Sequence, residues 1–349
     1  MKLAPSRFEP VFVPRIWGAR SLAPLFPEKS SLADPVGEVW LTGHDCRFAT
    51  GLFAGRTLGD AWREMDPGWA GTRVSKDGPF PLLVKFIFPE EKLSIQVHPH
   101  DEYAQRHEAA AGGMGKTEMW YAIAARAGAE VLVGLKADVT ADSFRRAIVE
   151  GTAEQCLERV PMRAGDAVFV PAGTTHTIGP GLVLCEIQEH SDVTYRVFDY
   201  NRLTAEGKPR PLHIEKALDV INFGEQSGGK LEPVTIPRGP VRETYFIACR
   251  YFATERWEFA ERIAAVTQPE HFDLLITLAG QGQIEAGGAA AEYGPAQVWF
   301  LPAAMGAYQL APAAPTTLLR TYLPDVNEFA RRLAEQRIEE AAWSRLVYP

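Results

Sequence analysis

The sequence predicts a mainly β protein whose two halves share one framework, a sandwich or barrel of short strands. In the second half, strand-length segments alternate with turns rich in Gly and Pro, a pattern typical of such folds. The second half also repeats the first, because residues 168–172 (VFVPA) are matched by residues 299–303 (WFLPA). A loop and a further strand-like run follow each copy, so we expect an internal repeat.

The N-terminal part of the chain contains local signals for strands and for one short helix. Residues 8–18 predict an extended segment, because their prolines interrupt any helix, and residues 37–41 (GEVWL) predict a strand. Thr57, with an Asp three residues later, predicts the N-cap of a helix over residues 57–65. The apolar run at residues 81–88 (PLLVKFIF) predicts a central strand buried on both faces.

Residues 93–98 (LSIQVH) form the segment around which we expect a functional site to be arranged. Their apolar residues alternate with Ser94, Gln96 and His98, the period-two pattern of a strand with one apolar and one polar face. The three polar side chains should therefore point the same way. A polar row of this kind usually faces water when nothing else accompanies it.

Two further strand-like runs carry residues that are able to bind a metal. Residues 117–121 (TEMWY) contain Glu118, and a later run leads into His176. Together with Gln96 and His98, they give two imidazoles, a carboxylate and an amide, a plausible four-ligand site for a divalent transition metal. The absence of thiolates from this set is typical of a catalytic rather than a structural zinc site.

The rest of the first half is predicted to contain helices and further strands. His100 and His107 lie in or beside the first of these helices, and we expect them at the surface. The predicted elements are a helix at residues 101–111, one or two surface helices at residues 140–160 divided by Gly151, strands at residues 183–188 and 194–200, and an amphipathic helix at residues 214–223.

A shift in composition separates the two halves. Residues 226–240, rich in Gly and Pro, predict a linker, and Asp325 predicts the start of a helix over residues 325–346. Between them, strands are predicted at residues 245–249, 251–259, 272–279, 297–301 and 316–322. We therefore expect a first domain at residues 1–237, a second at residues 238–325, and a C-terminal helix at residues 326–349.

Composition excludes several classes of protein. The formal net charge of -8 argues against a general nucleic-acid binder. No apolar run approaches the roughly 18 residues needed to span a bilayer, and the first residues lack the apolar core of a signal peptide, so we expect a cytoplasmic protein. The four cysteines form no CxxC pair and are expected to be buried and reduced.

Four motifs, LSIQVHP, GKTE, PAGTTH and SDVTYR, occur in this order along the chain. With them the chain closely resembles the type I mannose-6-phosphate isomerases, in their shorter bacterial form, from about Trp17 to Tyr322. The resemblance implies two cupin-type jelly rolls (double-stranded β-helices), the second degenerate, with a few peripheral helices. The repeat agrees with this, because Ala307 stands five residues after its proline, where the first copy has His176.

The resemblance also implies an activity and a cofactor. It implies a zinc-dependent aldose–ketose isomerase, with one zinc per chain, that interconverts mannose 6-phosphate and fructose 6-phosphate through a cis-enediol. The metal ligands of the family fall on Gln96, His98, Glu118 and His176, which are the residues that the strand pattern selects. The implied partner is a small sugar phosphate, with no nucleic acid or membrane, and the protein is expected to be a monomer or a homodimer.

Residues around the metal are also implied by the resemblance. The active-site arginine of the family falls on Arg196, and its substrate-contacting residues fall on Ser94 and Lys116. Glu186 matches a glutamate of the longer eukaryotic members. Arg202 stands where longer members have a lysine, which preserves charge but not geometry. Residues 15–18 (RIWG) depart from the YDWG of longer members and lack its acidic residue.

Isomerisation requires an electrophile, a base that takes and returns a proton, and a cationic anchor for phosphate. Zinc would be the electrophile. Two candidate bases stay open: Lys116, whose pKa a nearby cation would lower, and Glu186, which would have to be partly desolvated. Arg196 is suited either to phosphate binding or to stabilising the enediolate, and Arg202 is the next phosphate candidate.

Two other functions stay open. The ligand set also suits iron, so a cupin oxygenase is one alternative. A non-catalytic sugar-phosphate sensor that retains the metal is the other. Lys116 and Arg196 beside the ligands favour the isomerase, since a sensor needs no group for proton transfer.

Overall fold

The computed structural model describes residues 3–204, 206–224 and 228–348. These residues form two sandwiches, built mostly of antiparallel strands, which we call the N-terminal sandwich and the C-terminal sandwich. Short helices lie at their periphery, and none in the described ranges is long and apolar enough to cross a membrane. The predicted mainly β fold class is therefore confirmed.

The strands up to residue 230 contribute mainly to the N-terminal sandwich. In chain order they are β1 (Ser6–Arg7), β2 (Val11–Ala19), β3 (Val36–Trp40), β4 (Leu82–Ile87), β5 (Ile95–Val97), β6 (Glu118–Ala125), β7 (Glu130–Leu135), β8 (Leu157–Pro161), β9 (Ala167–Val170), β10 (His176–Ile178), β11 (Leu182–Glu189), β12 (Tyr195–Phe198) and β13 (Gly229–Lys230). One sheet has the order β13-β9-β6-β11-β4-β3-β2 and the other β12-β5-β10-β7-β8. Trp120 of the first sheet packs with Val131 and Ile178 of the second, so the two sheets enclose a core.

The strands after residue 230 form the C-terminal sandwich. In chain order they are β14 (Val234–Arg238), β15 (Val241–Cys249), β16 (Ala253–Phe259), β17 (Ile263–Val266), β18 (Asp273–Ala279), β19 (Gly282–Ala286), β20 (Ala289–Tyr293), β21 (Val298–Leu301), β22 (Ala307–Pro312), β23 (Thr316–Tyr322) and β24 (Val347–Tyr348). One sheet has the order β1-β21-β18-β23-β16-β15-β14, with β24 beside β15, and the other β17-β22-β19-β20.

The two sandwiches repeat the same strand order. The run β9-β6-β11-β4-β3-β2 in the first corresponds to β21-β18-β23-β16-β15-β14 in the second, and β5-β10-β7-β8 corresponds to β17-β22-β19-β20. Residues 168–172 and 299–303 include the ends of the corresponding strands β9 and β21. The predicted internal repeat is therefore confirmed.

The helices are short and end at recognisable signals. They are α1 (Leu58–Glu64), α2 (Pro67–Ala70), α3 (Asp101–His107), α4 (Ala141–Glu150), α5 (Ile214–Val220), α6 (Val326–Glu335) and α7 (Glu340–Trp343), with 3-10 turns at Pro27–Lys29, Ala109–Ala111, Ala153–Cys156, Ala303–Met305 and Ser344–Leu346. Thr57 caps α1 as predicted, by accepting a hydrogen bond from the backbone N–H of Asp60.

A segment predicted to be helical and a segment predicted to be a linker both contain strands. In residues 140–160, α4 ends at Gly151, whose φ of 73° stops the helix, and the segment continues into β8, which pairs with β7. Of the predicted linker, residues 226–227 lie outside the described residues. Much of the remainder forms β13 and β14, which pair with β9 and β15. Gly and Pro are tolerated there because both strands lie at sheet edges.

Two strands that begin before the predicted domain boundary at residue 237 pair with strands of the C-terminal sandwich. β14 (Val234–Arg238) spans that boundary and belongs to a sheet of the C-terminal sandwich. β1, at the start of the chain, also pairs with β21 of that sandwich. The chain therefore begins beside the second sandwich and then builds the first.

The prediction of one helix over residues 325–346 was wrong. After α6, Arg337 takes a positive φ of 60°, and the chain turns through α7 into β24, which runs parallel to β15. The reason is burial: Leu346 packs in the same core cluster as Phe329 and Leu333. A continuous helix would carry residue 346 about 20 Å beyond residue 333.

Candidate metal centre and active site

Three of the four predicted metal ligands come together in the core of the N-terminal sandwich. His98, Glu118 and His176 are each about 1% exposed, and their ligand atoms lie within 4.8 Å of one another. Strand pairing positions them, since His176 opens β10 directly opposite Gln96 on β5. Glu118 opens β6 in the other sheet, so the ligands converge from both sheets.

Backbone carbonyl groups fix the orientation of both imidazoles. Nδ1 of His98 donates to the carbonyl of Val193 and Nδ1 of His176 to that of Thr174, each at 2.8 Å. A carbonyl group only accepts, so each ring carries its proton on Nδ1 and presents an unprotonated Nε2 to the centre. Lys116 Nζ lies 3.2 Å from Nε2 of His98.

Burial keeps these imidazoles neutral, which is the form that binds a metal. It lowers the pKa of His98 well below 6.5, with a further lowering from Lys116, and it lowers the pKa of His176 to about 4. Nε2 of His98 lies 3.7 Å from Glu118 Oε2, and Nε2 of His176 lies 3.4 Å from Oε1.

The buried Glu118 carboxylate fits a bound cation. Its Oε2 lies 2.6 Å from Lys116 Nζ, an ion pair at hydrogen-bonding distance. Its Oε1 has no hydrogen-bond partner among the described residues and lies 3.4 Å from Nε2 of the neutral His176 ring. A buried carboxylate oxygen without a hydrogen bond is costly, and a divalent ion between it and the two imidazoles would offset that cost.

Gln96 borders the same centre. Its amide nitrogen lies 3.3 Å from His176 Nε2, and its oxygen accepts a hydrogen bond from Ser94 at 3.1 Å. A half-turn of the amide exchanges two groups of similar size and directs the oxygen towards the centre. The predicted fourth ligand is therefore within reach of the site.

Glu186 and Lys116, the two predicted bases, lie beside each other next to the ligands. Glu186 Oε1 is 3.8 Å from Lys116 Nζ, and Oε2 accepts a hydrogen bond from the Trp120 indole at 3.1 Å. Burial raises the pKa of Glu186, although Lys116 opposes the shift.

The neighbouring carboxylates favour the charged form of Lys116. Burial lowers the pKa of Lys116, but the carboxylates of Glu118 and Glu186 outweigh burial, so that pKa is raised. The predicted lowering of the pKa by a metal cation concerns the loaded site and stays a prediction.

Lys85 is a buried cation of this site that the sequence analysis missed. Its ammonium lies 3.5 Å from both Glu186 and Asp192 and 4.0 Å from Glu38. Burial lowers the pKa of Lys85, and the surrounding carboxylates more than reverse that effect. A single Lys inside the apolar run at residues 81–88 was the signal available in the sequence.

Arg196 lies one strand away from the ligands. It stands opposite Gln96 in the pairing of β12 with β5, and its Nε donates to Ser94 at 3.2 Å. Within the described part of the chain, Arg196 forms no ion pair, although the Asp199 carboxylate acts on its charge from a greater distance. Burial and the nearby Arg210 lower the pKa of its guanidinium.

Arg202 and Arg210 extend this cationic region. Arg202 pairs with Asp199 at 2.5 Å, and Nε of Arg210 donates to the same carboxylate at 2.7 Å. Arg202 and Arg210 thus share one aspartate, and Arg202 also lies 3.7 Å from Glu91. Arg210 was not predicted, because its contact with Asp199 depends on a loop that follows β12.

Comparisons with known proteins identify relatives of the chain. Residues 7–127 match the phosphomannose isomerase type I catalytic domain, and residues 242–319 match the mannose-6-phosphate isomerase cupin domain. The chain is 34% identical over 323 residues to the mannose-6-phosphate isomerase ManA of Bacillus subtilis, covering 89% of this chain and 96% of that relative.

Solved structures show the same fold. The crystal structure of the mannose 6-phosphate isomerase from Bacillus subtilis matches with a TM-score of 0.82 and 30% identity, covering 91% of this chain and 99% of that one. A zinc-bound mannose 6-phosphate isomerase structure matches with a TM-score of 0.72 and 17% identity, covering 91% and 99%. At that lower identity, the likeness concerns the fold alone.

Proposed function

Because the chain belongs to the type I mannose-6-phosphate isomerase family, we propose that it interconverts mannose 6-phosphate and fructose 6-phosphate at the centre formed by His98, Glu118 and His176. The observation that carries the proposal is the buried Glu118 carboxylate, whose Oε1 has no hydrogen-bond partner among the described residues and which faces two neutral imidazoles. Candidate bases and arginines adjoin it, as an aldose–ketose isomerisation requires.

We propose that one zinc ion per chain is held by His98, Glu118, His176 and Gln96. The donor set of two imidazoles, a carboxylate and an amide suits zinc, and the zinc-bound isomerase structure of the same fold supports that choice. When bound, the ion would supply a Lewis acid for the sugar oxygens.

Two side chains qualify for moving the proton between C1 and C2 through a cis-enediol. Glu186 is buried, and its raised pKa allows it to hold a proton closer to neutral pH than an exposed glutamate would. Lys116 lies 3.8 Å from it and is the alternative base, or the cation that keeps Glu186 in place.

The arginines are proposed to bind the anionic parts of the substrate. Arg196 is held by Ser94, beside Gln96, which places it near the reacting carbons if zinc lies at the centre. Arg202, already paired with Asp199, is proposed as a phosphate contact at the edge of the site. Ser94 is proposed to bind substrate together with Lys116.

We propose that catalysis is confined to the N-terminal sandwich, within residues 1–237. In the pairing of β17 with β22, Val266 stands opposite Ala307, whereas Gln96 stands opposite His176 in the first copy. Apolar side chains therefore occupy two ligand positions in the second copy, within residues 238–325.

A coupled assay tests the proposed function. Fructose 6-phosphate formation from mannose 6-phosphate should be lost with a chelator and restored by zinc. Turnover that persists after complete metal removal would contradict the role of zinc. Oxygen uptake with bound iron, or sugar-phosphate binding without turnover, would instead identify an oxygenase or a sensor.

A further inference from the structure

The strand pairing aligns the two sandwiches residue by residue. Glu118 pairs with Val170, and Asp273 pairs with Leu301, the residue that occupies the same place before the repeated proline. The same pairing yields further counterparts, which are Arg320 for Glu186, Glu255 for Lys85 and Glu243 for Glu38. The second copy has thus replaced the residues of the active site with another set of charged groups.

Arg320 and Glu243 of this set line an open cavity. Its volume is about 680 Å³, within the range of pockets for small molecules. Five arginines line it: Arg73, Arg238, Arg262, Arg320 and Arg332. His271, which holds the place of Lys116, also lines the wall.

The two inner arginines are held rigidly and retain unused donors. Arg320 is 6% exposed, donates to Asp273 at 2.9 Å and lies over the ring of Tyr322 at 4.4 Å. Arg332 donates to Glu255 at 2.6 Å. Nε of each guanidinium has no hydrogen-bond partner in the described part of the chain.

The carboxylates that balance three of the arginines stand outside the lining. Glu255 and Asp273 partner Arg320, Glu255 also partners Arg332, and Glu285 partners Arg262, but none of these acids faces the cavity. Arg73 and Arg238 instead pair with acids of the lining, Arg73 with Glu328 and Asp325 and Arg238 with Glu243. The five arginines outnumber the four lining acids, which are Glu243, Glu270, Asp325 and Glu328, by one. Replacing buried ion pairs such as Arg320–Asp273 by apolar residues is often neutral or stabilising, so stability alone does not account for them.

We propose that this cavity binds a small hydroxylated oxyanion, a phosphorylated or carboxylated metabolite. Guanidinium groups bind both kinds of oxyanion through paired hydrogen bonds. Glu243 and Glu270, which also line the wall, supply acceptors for ligand hydroxyl groups. The proposal does not depend on the activity of the other sandwich.

Two tryptophans allow the cavity and the metal centre to be monitored separately in the full-length, zinc-loaded protein. The Trp257 indole donates to Glu255 beneath Arg320, and the Trp120 indole donates to Glu186 at the metal centre. With 5-fluorotryptophan incorporated, ¹⁹F NMR resolves both, and Trp257→Phe and Trp120→Phe assign the signals. Inorganic phosphate and citrate serve as probes of the two oxyanion types.

The Trp257 signal should shift as at least one probe is added and reach a constant position at high probe concentration. The probe that binds with the higher affinity identifies the oxyanion class. Arg238→Ala/Arg262→Ala, at the exposed rim, should weaken this binding by about tenfold or more while isomerase activity stays unchanged. Arg242→Ala, on the same sheet but outside the lining, should bind as the parent does. A Trp257 signal unmoved by both probes, or equal affinity in the double variant, would overturn the proposal.

Discussion

The two imidazoles of the metal centre are fixed by carbonyl groups and kept neutral by burial. Replacing His98 or His176 by Ala should remove most bound zinc and nearly all activity, because each provides one of the few strong neutral donors. Metal analysis and the coupled assay check this. His107→Ala, at the exposed end of α3, is the control and should change little. Stoichiometric metal with full activity in either variant would refute the ligand assignment.

The choice between Lys116 and Glu186 as the base requires separate variants in metal-replete protein. Loss of a proton-transfer group should lower kcat by on the order of 100- to 10,000-fold with zinc still bound. The measurement is exchange of the C2 proton of mannose 6-phosphate with deuterated solvent, followed by NMR in Lys116→Ala and Glu186→Gln. The variant that loses exchange identifies the base, and wild-type turnover in Lys116→Ala would leave Glu186.

The guanidinium of Arg196, which forms no ion pair among the described residues, serves one of two roles, and kinetics can separate them. If Arg196 stabilises charge that grows in the enediolate, Arg196→Ala should lower kcat and kcat/KM together. If it holds phosphate, KM should rise with kcat nearly intact. Its place opposite Gln96 favours the first result. Arg202→Ala, further out beside Asp199, is the matched comparison and should raise mainly KM.

At the scale of elements, the last residue of β11 ties that strand to the start of β6. Glu189 Oε1 accepts a hydrogen bond from the backbone N–H of Thr117 at 2.7 Å. Burial raises the pKa of Glu189 to about 8, and the nearby Asp101 raises it further. The folded protein therefore holds a proton that the unfolded chain has released above pH 4.5.

This proton makes stability depend on pH in a defined direction. Between pH 4.5 and 8 Glu189 should reduce the free energy of unfolding by about 1.4 kcal/mol per pH unit as pH rises. Glu189→Gln keeps the acceptor for Thr117 and removes the titration. Denaturant unfolding should be measured at several pH values. As pH rises towards 8, the free energy of unfolding of the variant should increase relative to that of the parent. A constant difference between them would contradict the assignment.

The elements that the sequence predicts best are those whose pattern is local. The apolar run of β4 and the alternation around β5 mark strands without knowledge of their partners. By contrast, β19, β20 and β22 are rich in Ala, so their strand character depends on pairing rather than on propensity.

The same limit applies to the site. Gln96 and His98 share one face of a short segment, so alternation alone brings them together. Lys85 reaches Glu38 and Glu186 only through the pairing of β4 with β3 and β11. A contact set by pairing of distant segments leaves no periodic signal in the chain, which is why the buried cation was missed.

At the scale of the whole molecule, the two sandwiches share one hydrophobic core. Phe80 of the N-terminal half stacks on Phe272 at 4.9 Å between ring centroids, and Phe272 packs against Phe300 at 5.3 Å. Trp62 completes this cluster from α1. Because all four side chains are fully buried, neither half is expected to keep its stability alone.

Phe272→Ala tests whether the halves unfold together. Removing this ring should cost about 3–5 kcal/mol, since it leaves a cavity between rings from both sandwiches. The ¹⁹F signals of Trp120 and Trp257 report on the two halves separately. When thermal unfolding is followed by these signals, Phe272→Ala should lower the Tm of both transitions equally. Leu52→Ala, at an exposed side chain, is the control and should leave Tm nearly unchanged. If only the Trp257 transition moved while Trp120 kept its Tm, the shared core would not couple the sandwiches, and the N-terminal sandwich would be stable by itself.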